Sequence, residues 1–524
     1  MELGGQNSTG RGTFLGMGAL ADIPFKDGHS GAKNAGPIVS VNPTTGQPIG
    51  EVPDLGPAEV KALVERARTA QRSWGALPLK TRCDRVARLR DLIVSRAPEL
   101  CELLVAETGK TRSEALAMEV LVIADLATYF IKRAPKILAP EKIPLHLLKT
   151  RGSYVHYQPR GVVGIIAPWN FPFGIPISET IMALLAGNAV VLKPSEVTPL
   201  IALKAKELHD AAGLPPDLFQ VVTGRGQAGA ALIDSGIDYC IFTGSTATGR
   251  KVGAACGERL IPCVLELGGK APAVVCADAD LDRTAKALVW GAFANQGQVC
   301  VSVERVYAHQ SVHDELVAKI LAGVAALRSG DPGDAADLDT GTMTWERQVE
   351  IVEERIAKAL SDGARLRAGG KRRGRGLQFE PTVLTDCRQD MEIMRQEIFG
   401  PVMPIMKFTD EDQAVALAND SALGLAAYVF TEDTQKGRRL AERIEAGTVM
   451  VNDCLLTYGA PETPWGGVKT SGVGHTHSDR GLQDLCQTRH VNYDRLALKR
   501  ELWWYPYSDK MYQQTLKAMR WLFR

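Results

Sequence analysis

The chain of 524 residues is long enough to bury more than one hydrophobic core, because single cores stop growing at roughly 250–300 residues. An apolar share of 45% and a charged share of 23% are those of an ordinary globular protein, which excludes wholesale disorder; no apolar run reaches the ~18 residues a bilayer span needs. Lys and Arg (61) balance Asp and Glu (60), so no global field draws in nucleic acid and only local patches remain to be considered. The ten cysteines are scattered, with neither CxxC pairs nor histidines at zinc spacing. They read as reduced thiols of a cytoplasmic protein without a metal site.

Residues 1–38, rich in Gly, Ser and Asn and lacking a basic segment followed by an apolar run, are expected to form a flexible arm with no secretion signal. From Pro57 to Ala134 apolar residues recur at helical spacing, as in Val60, Leu63, Val64 and Ala67, and predict a helical layer. Tyr154–Tyr157 reads as an exposed strand and Val162–Ile166 as a buried one. Between 162 and 276 short β-rich runs alternate with helical stretches: Ala189–Leu192, Phe219–Thr223, Tyr239–Thr243, Val264–Leu267 and Ala273–Cys276. That alternation predicts an α/β fold, a mostly parallel sheet covered by helices that binds a dinucleotide at its carboxyl edge. A second α/β region follows from about Leu281 to Gly472, with a helix over Val349–Leu360, a surface hairpin or loop at Gly369–Gly376 and a strand at Thr448–Val451.

The expected organisation is a flexible arm (1–38), a dinucleotide-binding domain (39–140 and 160–280), a catalytic domain (281–472), an oligomerisation element (141–159 and 473–494) and a C-terminal extension (495–524). In the extension, Trp503-Trp504-Tyr505-Pro506-Tyr507 precedes a stretch where Tyr512, Leu516, Met519 and Phe523 share one helical stripe among Lys510, Lys517, Arg520 and Arg524. A basic amphipathic helix of this kind can lie on an anionic membrane surface; more often such a stripe packs against the protein itself or its dimer partner, and a lid is a third possibility.

Chemistry concentrates in a few segments. Cys300 closes Phe293-Ala294-Asn295-Gln296-Gly297-Gln298-Val299-Cys300, a Gly-containing turn after a helix-like run, and small neighbours let a substrate approach it. A lone cysteine is more often a packing residue than a nucleophile. Glu266, in Val264-Leu265-Glu266-Leu267-Gly268-Gly269-Lys270, stands at the end of a buried strand where desolvation raises a carboxyl pKa toward that of a general base. Asn170, between Pro168 and Pro172, is an amide donor on a stiffened loop of the kind an oxyanion hole requires. Each of these alone reads equally well as structure. A glycine pattern at Gly224, Gly226 and Gly229 sits late in the alternating region, and Gly244…Gly249 reads as a helix-start turn fit for a pyrophosphate.

Together with Phe242-Thr243-Gly244-Ser245, Lys193-Pro194-Ser195-Glu196 and Gln396-Glu397-Ile398-Phe399-Gly400-Pro401, these segments make the chain resemble the aldehyde dehydrogenase superfamily from about residue 40 to 490. The resemblance implies a Rossmann-like cofactor domain, an α/β catalytic domain and a small β oligomerisation element. It implies that Cys300 attacks an aldehyde and that the oxyanion is held by the Asn170 side chain and the Cys300 N–H. Hydride then passes to the nicotinamide, and Glu266 activates water to hydrolyse the thioester. Ile166, Trp169, Lys193, Ser195, Glu196, Gly226, Gly244 and Ser245 match the family's dinucleotide contacts, Leu267 the nicotinamide neighbour, and Glu397 and Phe399 the contacts to its ribose. Glu196 beside the adenine ribose favours NAD over NADP, since a carboxylate accepts from the hydroxyls and repels a 2′-phosphate; Lys193 nearby argues the other way.

Two departures from the family pattern concern proton release. Glu179 stands where many relatives carry a lysine, and Thr476 where a glutamate is frequent; His475 and His477 read as solvated surface before they read as a relay. The substrate tunnel implied by the resemblance is lined by Phe171, Gly174, Ser178, Ala294, Val299, Val301, Leu455, Leu456 and Tyr458. With small residues at 174, 178 and 294 and no arginine beside Cys300, it is expected to be wide and apolar, for medium- or long-chain aliphatic or aromatic aldehydes. A coenzyme-A-acylating or semialdehyde-specific dehydrogenase is the alternative within enzymes, and a catalytically silent binding protein on the same fold the alternative of another class. Tyr154–Tyr157 and His490–Tyr493 resemble the family's oligomerisation strands and imply a homodimer or homotetramer. Localisation is expected to be cytoplasmic, with peripheral membrane contact through 495–524 as an open possibility.

Overall fold

In the computed structural model of the chain, which describes residues 36–333, 335, 337–501 and 503–523, five β-rich runs form parallel neighbours in one sheet. They are Val162–Ile166 (β1), Ala189–Lys193 (β2), Phe219–Val221 (β3), Tyr239–Thr243 (β4) and Cys263–Glu266 (β5). Strands buried on both faces need continuous apolar sequence rather than alternation, and Ala189-Val190-Val191-Leu192 is such a run. The spatial order β5-β4-β1-β2-β3 means that the chain steps from β1 to β2 and β3, then returns to the other side of β1. That reversal opens a crevice at the carboxyl ends of β1 and β4, the place where open α/β sheets receive ligands.

The sequence reading carries this sheet through Ala273–Cys276; the structure corrects this. Ala271–Val275 (β6) belongs to a second sheet with Val303–His309 (β7), Arg365–Ala368 (β8), Thr382–Thr385 (β9), Val402–Phe408 (β10), Ala426–Phe430 (β11) and Thr448–Val451 (β12). Their order is β8-β9-β10-β7-β6-β11-β12, parallel except where β8 meets β9. The reason is geometric. Only Leu267-Gly268-Gly269-Lys270 separates β5 from β6, and a crossover between parallel strands of one sheet takes a dozen or more residues. The chain later re-enters the first sheet through Gly472–Val473 (β13), antiparallel to β5 with Gly472 opposite Glu266.

The helical layer forms as its spacing predicts, with Pro57–Gly75 burying Val60, Val64, Ala67 and Trp74. The Trp74 indole N–H donates to the Leu184 carbonyl at 2.9 Å, tying this layer to Gly174–Ala186, a helix buried at every residue and apolar nearly all round. Arg151–Pro159 and Cys486–Asp494, which contain the two expected oligomerisation strands, pair antiparallel with each other, Cys486 opposite Pro159 and Asp494 opposite Arg151. The expected flexible arm lies outside the described residues up to residue 35; at its end, Ile38 already starts the strand Ile38–Val41, paired with Pro48–Val52.

Behind the junction of the two sheets lies a buried ion pair. Lys270 Nζ meets Glu304 at 2.8 Å with both side chains almost wholly excluded from water, and burial pushes the Lys270 ammonium down to about 8. Glu304 also accepts from the Ile398 and Phe399 N–H groups, each at 2.8 Å. Removing one partner of such a pair leaves a buried uncompensated charge, so Glu304→Ala is expected to destabilise the protein by about 3–5 kcal/mol. Urea unfolding checks this: an unchanged midpoint would show that the pair does not hold the junction.

Candidate active site

Cys300 is delivered by an unusual turn. The helix Leu281–Phe293 ends, and Asn295, Gln296 and Gly297 follow with φ of +49°, +56° and +68°. Left-handed non-glycine residues cost of order 1–3 kcal/mol each and persist only where surroundings over-determine them. Here they do. Asn295 N–H donates to Glu114 at 2.6 Å, its side-chain amide donates to the Asn170 carbonyl at 3.1 Å, and Gln298 accepts from the Thr344 N–H at 2.9 Å. A Cβ at Gly297 would stand 2.2 Å from the Gly400 carbonyl oxygen, so the turn is also held against the second sheet's loop.

The Asn170 loop leaves the carboxyl end of β1. The Asn170 side-chain amide donates one N–H to the Gln298 carbonyl at 3.0 Å, fixing the amide two residues from Cys300 and leaving its second N–H to aim elsewhere. A fully buried pair braces the loop from below: Lys110 Nζ contacts Glu119 and donates to the Asn170 carbonyl at 2.9 Å. Glu119 in turn accepts from the N–H groups of Phe173 and Gly174 at 2.9 and 2.8 Å. The Lys110 ammonium sits 4.5 Å over the Phe171 ring. Glu119 lies on the wide turn Ala115–Val120, where an extra residue in the helix turns it inward.

Glu266 ends β5 and opens the link to the second sheet. Burial first, then the neighbouring Glu179 carboxyl, pushes its pKa well up, and the nearby Trp465 indole opposes this without a hydrogen bond of good geometry. Both of its carboxylate oxygens are buried without a hydrogen-bond partner among the described residues. The link itself needs its two glycines for closeness. A Cβ at Gly269 would stand 2.0 Å from the Cys300 carbonyl oxygen, and one at Gly268 would stand 2.7 Å from Glu397. Glu397 accepts the Gly269 N–H at 2.9 Å, and burial pushes it up to about 8. Burial, then Glu397 and Glu266, pushes the Cys300 thiol up to about 12, with the N–H groups of Cys300 and Val301 pulling the other way.

Glu179 is brought beside Glu266 by the buried helix Gly174–Ala186, and burial raises it to about 8 against the pull of the Thr476 hydroxyl. The two departures from the family pattern therefore meet in space. His477 is a correction: expected as solvated surface, it is fully buried, has neither ring nitrogen hydrogen-bonded among the described residues, and is pushed down to about 4 by burial. Two backbone hydrogen bonds between Trp465 and Thr476, 2.9 and 2.8 Å, tuck its loop inward against the Tyr458 ring, 4.6 Å away. His475 remains partly exposed.

The expected cofactor residues fall along the carboxyl edge of the first sheet. Ile166 and Lys193 end β1 and β2, Ser195 and Glu196 follow β2, Gly244 and Ser245 follow β4, and Leu267 follows β5. Gly226 opens the helix Gly226–Asp234 with open space among the described residues where a Cβ would stand, and Ser245 caps Thr246–Glu258 through the Thr248 N–H. An open helix start with free-lying small residues fits a pyrophosphate. Lys193 and Glu196 pair at 3.2 Å, with Glu196 half exposed. From the second sheet's side, Phe399 meets the Trp169 ring edge-on at 5.3 Å, with Trp345 beyond it at 6.4 Å. These residues fit a dinucleotide laid across the edge.

Of the tunnel candidates, Phe171, Gly174, Ser178, Ala294, Val299, Val301 and Leu455 are buried, and Tyr458 is partly so. Ser178 and Tyr458 share a hydrogen bond of 3.0 Å, which joins the buried helix to the 455–459 loop. Leu456 departs from the set, being 54% exposed on the turn Leu456–Gly459. Lys110, Glu119, Asn295, Trp465 and His477 were not singled out as site residues or were misplaced. Thr111-x-x-Glu114 is a legible capping box, but nothing local reveals that Glu119 or Lys110 turns toward a loop some 50–60 residues away.

Comparison with known proteins agrees with this geometry. Residues 31–491 match the model of the aldehyde dehydrogenase family. The chain is 40% identical over 479 residues to a 4,4'-diapolycopene aldehyde oxidase of Methylomonas sp, covering 91% of this chain and 89% of that one. It is equally 40% identical over 483 residues, 90% and 92% of the two chains, to a Mycolicibacterium smegmatis protein named provisionally as an NADP(+)-linked succinate-semialdehyde dehydrogenase. A crystal structure of a Mycobacterium tuberculosis aldehyde dehydrogenase with NAD+ superposes with a TM-score of 0.83 at 36% identity, covering 88% of this chain and 95% of that one. The chain belongs to the aldehyde dehydrogenase family, and its reaction is the NAD(P)-dependent oxidation of an aldehyde.

Proposed function

We propose that the protein oxidises apolar aldehydes, medium- or long-chain aliphatic or aromatic, to carboxylic acids with NAD, through a thioester on Cys300 that water activated by Glu266 hydrolyses. The observation that carries this reading is the meeting, at one four-residue link, of an unpartnered buried carboxylate, the Cys300 backbone and the loop of Glu397. The Cys300 sulfur bonds to the aldehyde carbon, and its proton passes to a base, for which Glu266 has a raised pKa and two free oxygens. The oxyanion accepts from the Cys300 N–H and from the Asn170 N–H that Gln298 leaves unused. Bound NAD supplies the hydride acceptor. Glu266 passes that first proton to solvent and then takes one from water, whose oxygen attacks the thioester carbonyl; the acid is released and the departing Cys300 sulfur recovers a proton from Glu266 as the thiol.

Ile166, Trp169, Lys193, Ser195, Glu196, Gly226, Gly244, Ser245, Leu267, Glu397 and Phe399 would hold the dinucleotide. Preference for NAD rests on Glu196, which neutralises Lys193 and presents a half-exposed carboxylate where a 2′-phosphate would be repelled. Preference for apolar aldehydes rests on the buried Phe171, Val299 and Leu455. Lys110, whose ammonium lies over the Phe171 ring, is already satisfied by Glu119 and the Asn170 carbonyl. Two relatives of equal identity bear names for different aldehydes, so similarity leaves the choice to the site.

Steady-state reduction of NAD and NADP across acetaldehyde, decanal, benzaldehyde and succinic semialdehyde tests the reading. NAD with decanal or benzaldehyde is expected to give the highest kcat/KM, and Cys300→Ala to lower kcat by about a thousand-fold or more. Equal rates in wild type and Cys300→Ala would overturn the mechanism. Equal or better use of NADP would overturn the cofactor choice, and succinic semialdehyde as best substrate the specificity.

Glu179 provides a pH test. Its charge disfavours ionised Glu266, so Glu179→Gln should favour the carboxylate and move the acidic limb of the kcat profile to lower pH. A limb that stays in place or moves upward would show that the two carboxyls do not titrate against one another.

A further inference from the structure

The segment beyond Asp494 is unlike the rest of the chain. Residues 495–524 carry seven Lys and Arg against two Asp and Glu, a net +5, whereas the preceding 494 residues carry 54 against 58, a net −4. They also hold three of the eight tryptophans. The segment is tied to the body at its root, where buried Glu501 meets Arg151 at 3.3 Å; within the segment Arg500 donates to the Trp504 carbonyl at 3.1 Å. Beyond that root the helix Asp509–Leu522 forms, capped by Ser508 accepting from the Met511 N–H at 3.2 Å, and none of its residues is buried.

Helical spacing sorts the side chains of this helix into two faces. Tyr512, Leu516, Met519 and Phe523 fall in one stripe flanked by Met511 and Leu522 on one side and by Gln513 and Arg520 on the other, while Lys510, Lys517 and Trp521 fall opposite. Tyr512 is 63% and Phe523 66% exposed, so the apolar stripe is not covered by the described residues, and Trp503, Trp504, Tyr505 and Tyr507 are exposed just before it. A helix of 14 residues is marginal alone in water, and an amphipathic one gains its stability from what its apolar face lies on.

We propose that residues 495–523 form an interfacial anchor, in which the helix Asp509–Leu522 lies in the headgroup region of an anionic lipid bilayer, its apolar stripe turned to the acyl chains. Charge complementarity selects this occupant. A basic face opposite an apolar stripe, preceded by Trp and Tyr, matches a negatively charged interface in which aromatic rings sit at headgroup level. Symmetric pairing of the segment with its copy would instead bring two +5 segments together. Among the described residues no helix is long and apolar enough to cross a membrane, so the contact is one that lies on the surface. This inference concerns attachment and is independent of the aldehyde chosen at Cys300.

Co-sedimentation of the full-length protein with vesicles of phosphatidylcholine alone, or enriched in phosphatidylglycerol, tests it. The wild type should pellet with the anionic vesicles and less so at high salt. The variant Lys510→Gln/Lys517→Gln/Arg520→Gln should lose about a hundred-fold in partitioning, and Tyr512→Ser/Met519→Ser/Phe523→Ser should lose binding while keeping wild-type turnover of a water-soluble aldehyde. Partitioning of the apolar-face variant equal to wild type would overturn the proposal. So would a wild-type oligomer, measured by light scattering without lipid, that this variant dissociates, since the stripe would then cover a second copy of the chain.

Discussion

The arrangement depends on one constraint: a four-residue link, Leu267-Gly268-Gly269-Lys270, has to carry the chain from the end of one sheet into the middle of another. It is too short to bow outward, so it runs where only glycines fit, against the Cys300 carbonyl and the Glu397 carboxyl. At its first end stands Glu266 and at its last Lys270, one an unpartnered carboxyl and the other half of a buried ion pair. The same few ångströms of backbone therefore join the two sheets and set the candidate base beside the candidate nucleophile. Ser471 closes the far side, its hydroxyl donating to the Gly268 carbonyl at 2.7 Å and its carbonyl accepting from the Leu267 N–H at 2.8 Å.

Buried carboxyl groups around this junction have two different fates, decided by their partners. Glu304 and Glu119 each meet a lysine and two backbone N–H groups, which is how a charge is kept inside a protein. They hold loops in place. Glu266 and Glu179 have no lysine or arginine partner among the described residues, so burial drives both toward the neutral form, and at Glu266 the Glu179 carboxyl adds to it. A carboxyl raised in this way accepts a proton more readily than an ordinary one, which suits base catalysis rather than bracing. Glu397 lies between these cases, holding the Gly269 N–H while raised by burial and by Glu304.

Much of this was legible in the chain itself. The alternation of β-rich and helical runs gives the first sheet, and the motif set carries Cys300, Glu266 and Asn170 because their segments recur together. The short link was legible too, since four residues between two strands exclude a same-sheet crossover, yet the run of apolar residues after it read as one more strand of the same sheet. What stayed hidden depends on contacts distant in sequence. His477 looks like half of a solvated His-x-His pair until Trp465 and Thr476 bond and fold it in. Nothing near Lys110 or Glu119 in sequence signals their role: the wide helical turn at Ala115–Val120 carries Glu119 under the Asn170 loop, where it meets Lys110. The three left-handed residues before Cys300 could not be read from a segment with only one glycine, because their conformation is imposed by Glu114, Asn170 and Thr344.

The central claim is that Cys300 carries the acyl group and Glu266 releases it. The most direct measurement is mass spectrometry of the peptide containing Cys300, after the Glu266→Gln protein has been mixed with NAD and decanal and quenched in acid. The account predicts a decanoyl thioester on Cys300, formed with one equivalent of NADH and turning over only slowly. Cys300 found unmodified while NADH is produced, or the acyl group found on another residue, would contradict it.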